Sequence, residues 1–232
     1  MRRMVLFALF ALLTSVIHSV NAGVADTIAE RVKPCTVCHG PEGRSGPDAY
    51  YPRLAGKPRG YLYNQLRNFR EGRRYYRPMA LLIENLSDEY LSEMAAYFSS
   101  LSVPYPAVRG TLDEARTQTA RRLVTLGDPG KDIPSCMACH GKALMGIAPD
   151  IPGLLGLPAD YINAQFGAWR VGSRHAQAPD CMAEIAKRVT AVEASAISAW
   201  LAIQPVPDHA RPDSRSDALP LKCGNISGRA DQ

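Results

Sequence analysis

Cys35-Thr36-Val37-Cys38-His39 and Cys136-Met137-Ala138-Cys139-His140 decide how this chain is read. Each run is Cys-x-x-Cys-His, the pattern that fastens a c-type haem. Two thiols are spaced to meet the two vinyl groups, and the adjoining histidine supplies the proximal nitrogen to the iron. Bare Cys-x-x-Cys also occurs in zinc sites and redox dithiols. A shared zinc needs the second pair nearby, yet about a hundred residues separate the two. A dithiol leaves both histidines without a task and lacks its usual βαβ surroundings. The expectation is two covalently bound haem c groups, attached through Cys35, Cys38, Cys136 and Cys139 and ligated by His39 and His140.

The N-terminus says where this chemistry takes place. Arg2 and Arg3 precede a largely apolar stretch at residues 5–17, and Val20-Asn21-Ala22 offers small residues for cleavage. Residues 1–22 therefore read as a signal peptide. The apolar stretch is short against the roughly 20 residues of a membrane span, so an uncleaved anchor is the weaker reading. Export to a periplasm suits covalent haem attachment and tolerates six cysteines.

Removing 22 of 232 residues leaves 210, enough for one or two domains. A content of 46% hydrophobic and 21% charged residues is that of an ordinary globular protein. Loss of Arg2 and Arg3 lowers the formal charge from +5 to +3. Two haems add four propionates, which brings the whole near neutrality and gives no case for nucleic acid.

The chain repeats itself. Shifted by 100 residues, Pro52, Leu54, Gly56, Pro58, Tyr61, Gln65, Arg70, Gly72 and Arg74 meet Pro152, Leu154, Gly156, Pro158, Tyr161, Gln165, Arg170, Gly172 and Arg174. Phe69 meets Trp169 in the same register. The two haem runs match at a shift of 101, and Met79 matches Met182 at 103. Agreement this dense is an internal duplication.

Helical spacing runs through both copies. Residues 24–33 read as a short helix entering the first haem run. Thr111 and Glu114 read as a capping box ahead of a helix ending near Leu126. Pro58 and Pro158 suit a first helical turn, followed by Tyr61, Leu62, Leu66 and Phe69, or Tyr161, Ile162, Phe166 and Trp169, on one face. Ser87 caps a closing helix carrying Leu91, Met94, Phe98 and Leu101. Thr190 and Glu193 cap its counterpart with Ala194, Ile197 and Leu201.

A second axial ligand separates a carrier from an enzyme, because an iron held on both faces cannot readily take a substrate. Met79 and Met182 stand equivalent across the repeat, follow loops rich in arginine and proline, and precede the closing helices. Both are expected as axial ligands. Met94, Met137 and Met145 read as core filler. His175 is the rival in the second copy, although it aligns with Tyr75, and His209 reads as solvated. Arg74 and Arg174 are assigned to haem propionates, with Tyr61, Tyr161, Gln65 and Gln165 beside them. The run Arg67, Arg70, Arg73, Arg74 and Arg77 otherwise reads as a solvated helix end, or as a docking rim for an acidic partner. Cys181 and Cys223 remain. In an exported protein they read most simply as a disulfide tying the proline-rich tail beside Met182.

The duplicated order of Cys-x-x-Cys-His-Gly, Pro-x-Leu-x-Gly-x-Pro-x-x-Tyr, Gln, Gly-x-Arg and then methionine resembles the dihaem cytochrome c4 family, over roughly residues 24–203. The resemblance implies an all-α fold of two tandem class I cytochrome c domains, each wrapping one covalent haem. It places an N-terminal domain at residues 23–103, a linker at 104–110, a C-terminal domain at 111–204 and a tail at 205–232. It implies transfer of electrons in the periplasm, often at the membrane, toward a terminal oxidase. Two features depart from the family pattern: each methionine is single rather than doubled, and the cysteine-bearing tail is an addition. The expected function is a carrier with no catalysis of its own, between a respiratory donor and an acceptor such as a terminal oxidase. Its partners would be redox proteins, including a membrane-bound oxidase or reductase, with neither nucleic acid nor a small-molecule substrate. Competing readings are the dihaem subunit of a dehydrogenase complex, a dihaem peroxidase, which needs an open iron, and a haem sensor.

Overall fold

The computed structural model describes residues 26–106, 110–207, 210–214 and 218–226. The signal segment, the middle of the linker and His209 lie outside the described residues. Ten helices and three very short strands are described. The first copy contains α1 (Ile28–Arg31), α2 (Lys33–His39), α3 (Arg59–Arg70), α4 (Arg77–Ile83) and α5 (Asp88–Ser100). The second contains α6 (Glu114–Thr125), α7 (Cys136–His140), α8 (Ala159–Arg170), α9 (Cys181–Arg188) and α10 (Ala191–Ala202).

Side-chain caps start most of these helices where a short polar residue precedes an apolar face. Ser87 accepts from Tyr90 N at 3.2 Å, and Ser135 from Ala138 N at 3.2 Å. Thr190 and Glu193 form the expected capping box. The Thr111 box does not form. Asp113 instead accepts from Arg116 N at 2.9 Å, because the helix begins at Glu114 and leaves Asp113, not Thr111, at the N-cap. Pro58 and Pro158 stand at the N-cap, one residue before the first turn, with extended ψ of 136° and 143°. The helix expected over residues 24–33 is broken at Val32, where Lys33 begins the helix that carries the haem run.

Two apolar cores result. Val32, Leu62, Phe69, Ile83, Leu91, Met94 and Phe98 form the first, where α3 packs on α5. Leu123, Leu144, Met145, Ile162, Phe166, Ile197 and Leu201 anchor the second, where α10 packs on α6 and α8. Met94 and Met145 are thus core residues, as expected.

A small sheet departs from a purely helical chain. β1 (Gly146–Ala148) pairs antiparallel with β2 (Ile151–Pro152) and parallel with β3 (Asp213–Ser214). β3 belongs to the tail, so the tail is stitched to the loop behind α7 rather than lying loosely on the surface. The Cys181–Cys223 disulfide fastens it again, and Asn64 Nδ2 of the first copy donates to Asn225 O at 2.9 Å.

Candidate haem sites

Each haem run occupies a short helix that ends on its histidine and turns sharply at the next residue. That residue is Gly40 or Gly141, with φ of 75° and 85°. A Cβ on Gly40 would lie 2.2 Å from the backbone oxygen Ser45 O, and at Gly141 the positive φ itself disfavours a side chain. The reversal brings a proline carbonyl under each imidazole. His39 Nδ1 donates to Pro52 O at 2.8 Å, and His140 Nδ1 to Pro152 O at 2.8 Å. This bond fixes the tautomer and leaves Nε2 as the lone-pair nitrogen facing the cavity. Burial pulls both imidazoles below the ordinary histidine pKa, against the proline carbonyls. Arg74 adds to the depression at His39 and Lys57 at His140. Neutral imidazole is the form that ligates a metal.

The four cysteines of the runs carry no disulfide. Burial pushes Cys35 and Cys139 up, and drives Cys136 up to about 12. That is opposite to the depressed thiol of a redox Cys-x-x-Cys. Among the described residues no group of three or more His, Cys, Asp and Glu converges as a metal site. The dithiol and zinc readings therefore lose their structural basis.

A cavity of about 540 Å³ runs through both copies and is lined by all four run cysteines, both histidines, Met79 and Met182. Met79 lies in the first turn of α4 and Met182 in the first turn of α9. His175, the rival ligand, also touches the cavity. Its ring is exposed, and its backbone N is committed to Arg73 O at 2.6 Å. Leu219, Leu221 and Ile226 of the tail complete the wall near Met182.

The remaining candidates converge between the copies. Arg74 donates to Gln65 Oε1 at 2.9 Å, Gln165 Oε1 at 2.8 Å and Tyr161 Oη at 3.0 Å. Arg174 donates to Gln165 Oε1 at 2.7 Å and Gln65 Oε1 at 3.1 Å. Arg74 stacks on Phe69, its centre 4.5 Å from the ring centroid, and Arg174 on Trp169 at 3.8 Å. Burial, joined by the charge of Arg74, presses the Arg174 pKa down. Tyr61 lines the same cavity, and its backbone N donates to Pro149 O at 3.1 Å.

A buried Arg174 and a half-buried Arg74 sharing neutral acceptors make a cradle suited to carboxylates. Trp169 Nε1, on the cavity wall, is a buried donor with no partner among the described residues. Free paired thiols, oriented imidazoles, an apolar cavity with thioethers in its lining and this cationic cradle together fit haem c. The rest of the arginine run behaves differently. Arg67 and Arg73 share Glu71, and Arg70 pairs with Asp88, so two carboxylates offset half the charge of Arg67, Arg70, Arg73 and Arg77 in the suggested docking rim.

Sequence reasoning missed three participants. The carbonyls of Pro52 and Pro152 were visible only as repeated prolines. Lys57 donates to Gly153 O at 2.7 Å from a buried position, and burial, with the Arg53 charge, lowers its pKa to about 7. Nothing in the pattern of the repeat flagged it except its mismatch with Leu157.

Fold and site together define a dihaem c-type cytochrome that transfers electrons. No family model matches the sequence. The chain is 39% identical over 175 residues to the thiosulfate dehydrogenase electron acceptor of Thiomonas intermedia, covering 74% of this chain and 79% of that protein. It is 31% identical to cytochrome c4 of Pseudomonas aeruginosa over 191 residues, covering 82% and 92%. The solved structure of reduced cytochrome c4 from Pseudomonas stutzeri superposes with a TM-score of 0.66 at 28% identity, covering 78% of this chain and 99% of that one. The thiosulfate dehydrogenase TsdBA from Marichromatium purpuratum superposes with a TM-score of 0.68 at 31% identity over 78% of this chain. This chain spans only 39% of the TsdBA polypeptide. The protein belongs to the cytochrome c4 family and carries two covalent haem c groups.

Proposed function

We propose that this protein is a periplasmic electron acceptor for a dehydrogenase that oxidises an inorganic sulfur compound such as thiosulfate. It hands the electrons on to a respiratory acceptor and performs no catalysis itself. The observation that carries this reading is the likeness to the protein named as a thiosulfate dehydrogenase electron acceptor, which exceeds the likeness to cytochrome c4. The match to part of a longer dehydrogenase chain supports the same pairing. Among the described residues no helix is long and apolar enough to cross a membrane.

When bound, a haem supplies one electron taken up or released at its iron. The chain's own residues hold that change in place. Cys35, Cys38, Cys136 and Cys139 anchor the two groups, and His39 and His140 are presented by the proline carbonyls. Met79 and Met182, on the cavity lining, would be the second ligands of the two irons, and soft thioether ligation would raise the potential toward an electron-accepting range. Arg74 and Arg174 take the propionates, with Tyr61 and Tyr161 beside them.

The test is reduction of the oxidised holoprotein. A thiosulfate-oxidising dehydrogenase plus thiosulfate should reduce two haems per molecule, whereas thiosulfate alone should not. Failure with the dehydrogenase, but reduction by a quinol-oxidising respiratory complex, would favour the general respiratory carrier. The methionine–iron absorption band should appear in two-haem stoichiometry. Its absence, with rapid cyanide binding, would favour a peroxidase.

A further inference from the structure

We propose that Lys57, a residue of the first copy, raises the electron affinity of the second haem site and so biases transfer within the molecule toward it. The Lys57 Nζ donates to Gly153 O at 2.7 Å, across 96 residues of sequence and across the boundary between the copies. Gly153 directly follows Pro152, whose carbonyl holds His140. The ammonium is therefore planted against the support of the second proximal ligand. Its side chain belongs to the other half of the protein.

The duplication exposes how one-sided this is. Lys57 corresponds to Leu157, and Gly153 corresponds to Arg53. Leu157 is an ordinary member of the second apolar core. Gly153 has no room for a side chain, since a Cβ there would sit 2.5 Å from Met145 O. Arg53 turns away to the linker, donating to Ala55 O at 3.0 Å and Pro104 O at 3.1 Å and stacking on Tyr105 at 3.9 Å. Arg74 and Arg174 bond side chains of both copies, although the Arg74 charge bears on His39 as the Lys57 charge bears on His140. Only the apolar Leu157 stands at the matching position of the second copy, and Lys57 is just 4% exposed, so solvent screens its charge weakly.

A site that accepts an electron loses one unit of positive charge. A fixed cation nearby favours that reduced state. Protonated Lys57 thereby makes the second site a stronger acceptor than it would be without that charge. With Lys57 protonated throughout, one electron leaves the first site and enters the second.

The experiment is a redox titration of the holoprotein in mildly acidic buffer, where the ammonium is charged, following haem-methyl NMR resonances of the two sites separately. Lys57→Met should shift the electron distribution toward the first site by about tenfold, equivalent to about 59 mV for a one-electron couple. Lys57→Gln keeps a donor to Gly153 O and removes the charge, so it should give the same shift. A wild-type response from Lys57→Gln, or equal movement of both potentials, overturns the proposal. The inference rests on the His/Met haem assignment, and the two fail differently. Unmoved potentials with both methionine–iron bands intact overturn the role of Lys57, whereas absence of those bands in the wild-type protein overturns the assignment.

Discussion

Arg74 and Arg174 face each other as an isolated antiparallel bridge, and each guanidinium reaches the glutamine of the opposite copy. The backbone reinforces the pairing, with Tyr75 N donating to Ser173 O at 2.7 Å. Gln65 Oε1 is the acceptor for both arginines. Replacing it by leucine leaves buried charged donors short of a partner, which costs on the order of 2–3 kcal/mol. Gln65→Leu should lower the urea midpoint of the holoprotein and perturb the spectra of both haems together. A change confined to one haem would contradict the shared cradle.

Met79→Ala and Met182→Ala should each abolish half of the methionine–iron band and open one iron to cyanide. The double variant should abolish all of it. Absorption spectra of the oxidised proteins check this directly, and a wild-type band of one-haem stoichiometry that Met182→Ala leaves unchanged would transfer the ligand role to His175.

Cys223→Ser releases the tail next to the residue that precedes Met182. The bridge closes a loop of sequence separation 42, for which chain entropy gives on the order of 3–4 kcal/mol. The variant should bind cyanide faster at the second haem than at the first. Equal rates at both would show that the tail does not guard the second crevice.

Acid should loosen the second copy through Glu193. Burial alone would raise its carboxyl pKa, but the Lys131 ammonium at 2.7 Å and the Thr190 backbone and hydroxyl donors outweigh burial and hold it below the usual carboxylate range. A depressed folded-state value contributes stability above the unfolded carboxylate pKa and loses it as pH falls through the folded one. Thr190→Ala should cost about 1 kcal/mol near neutrality. Glu193→Gln should flatten the acid limb of stability against pH, measured by thermal unfolding.

Much of this could be seen in the linear chain because a few covalent requirements dominate it. Thiol spacing marks the attachment points, and a duplicated register doubles every signal. The faces of α3, α5, α8 and α10 followed from helical spacing. The cap of α6 was misplaced because Thr111 and Glu114 satisfy the same pattern as Asp113, and only loop geometry chooses between them. β3 was invisible, since two polar residues in a tail carry no strand signal until β1 offers them a partner. The proline carbonyls were hidden for a different reason: backbone acceptors leave no mark in residue identity. Arg74 and Arg174 were singled out from sequence, but their meeting across the copies depends on how the halves dock.

The ties between the halves bear on anyone cutting the gene in two. Lys57 is seated on a carbonyl of the far half, the amide of Tyr61 on Pro149, and Asn64 on the tail. Each fragment would bare an ammonium or guanidinium in a wall built to stay dry. Two ancestral modules have thus become one indivisible body.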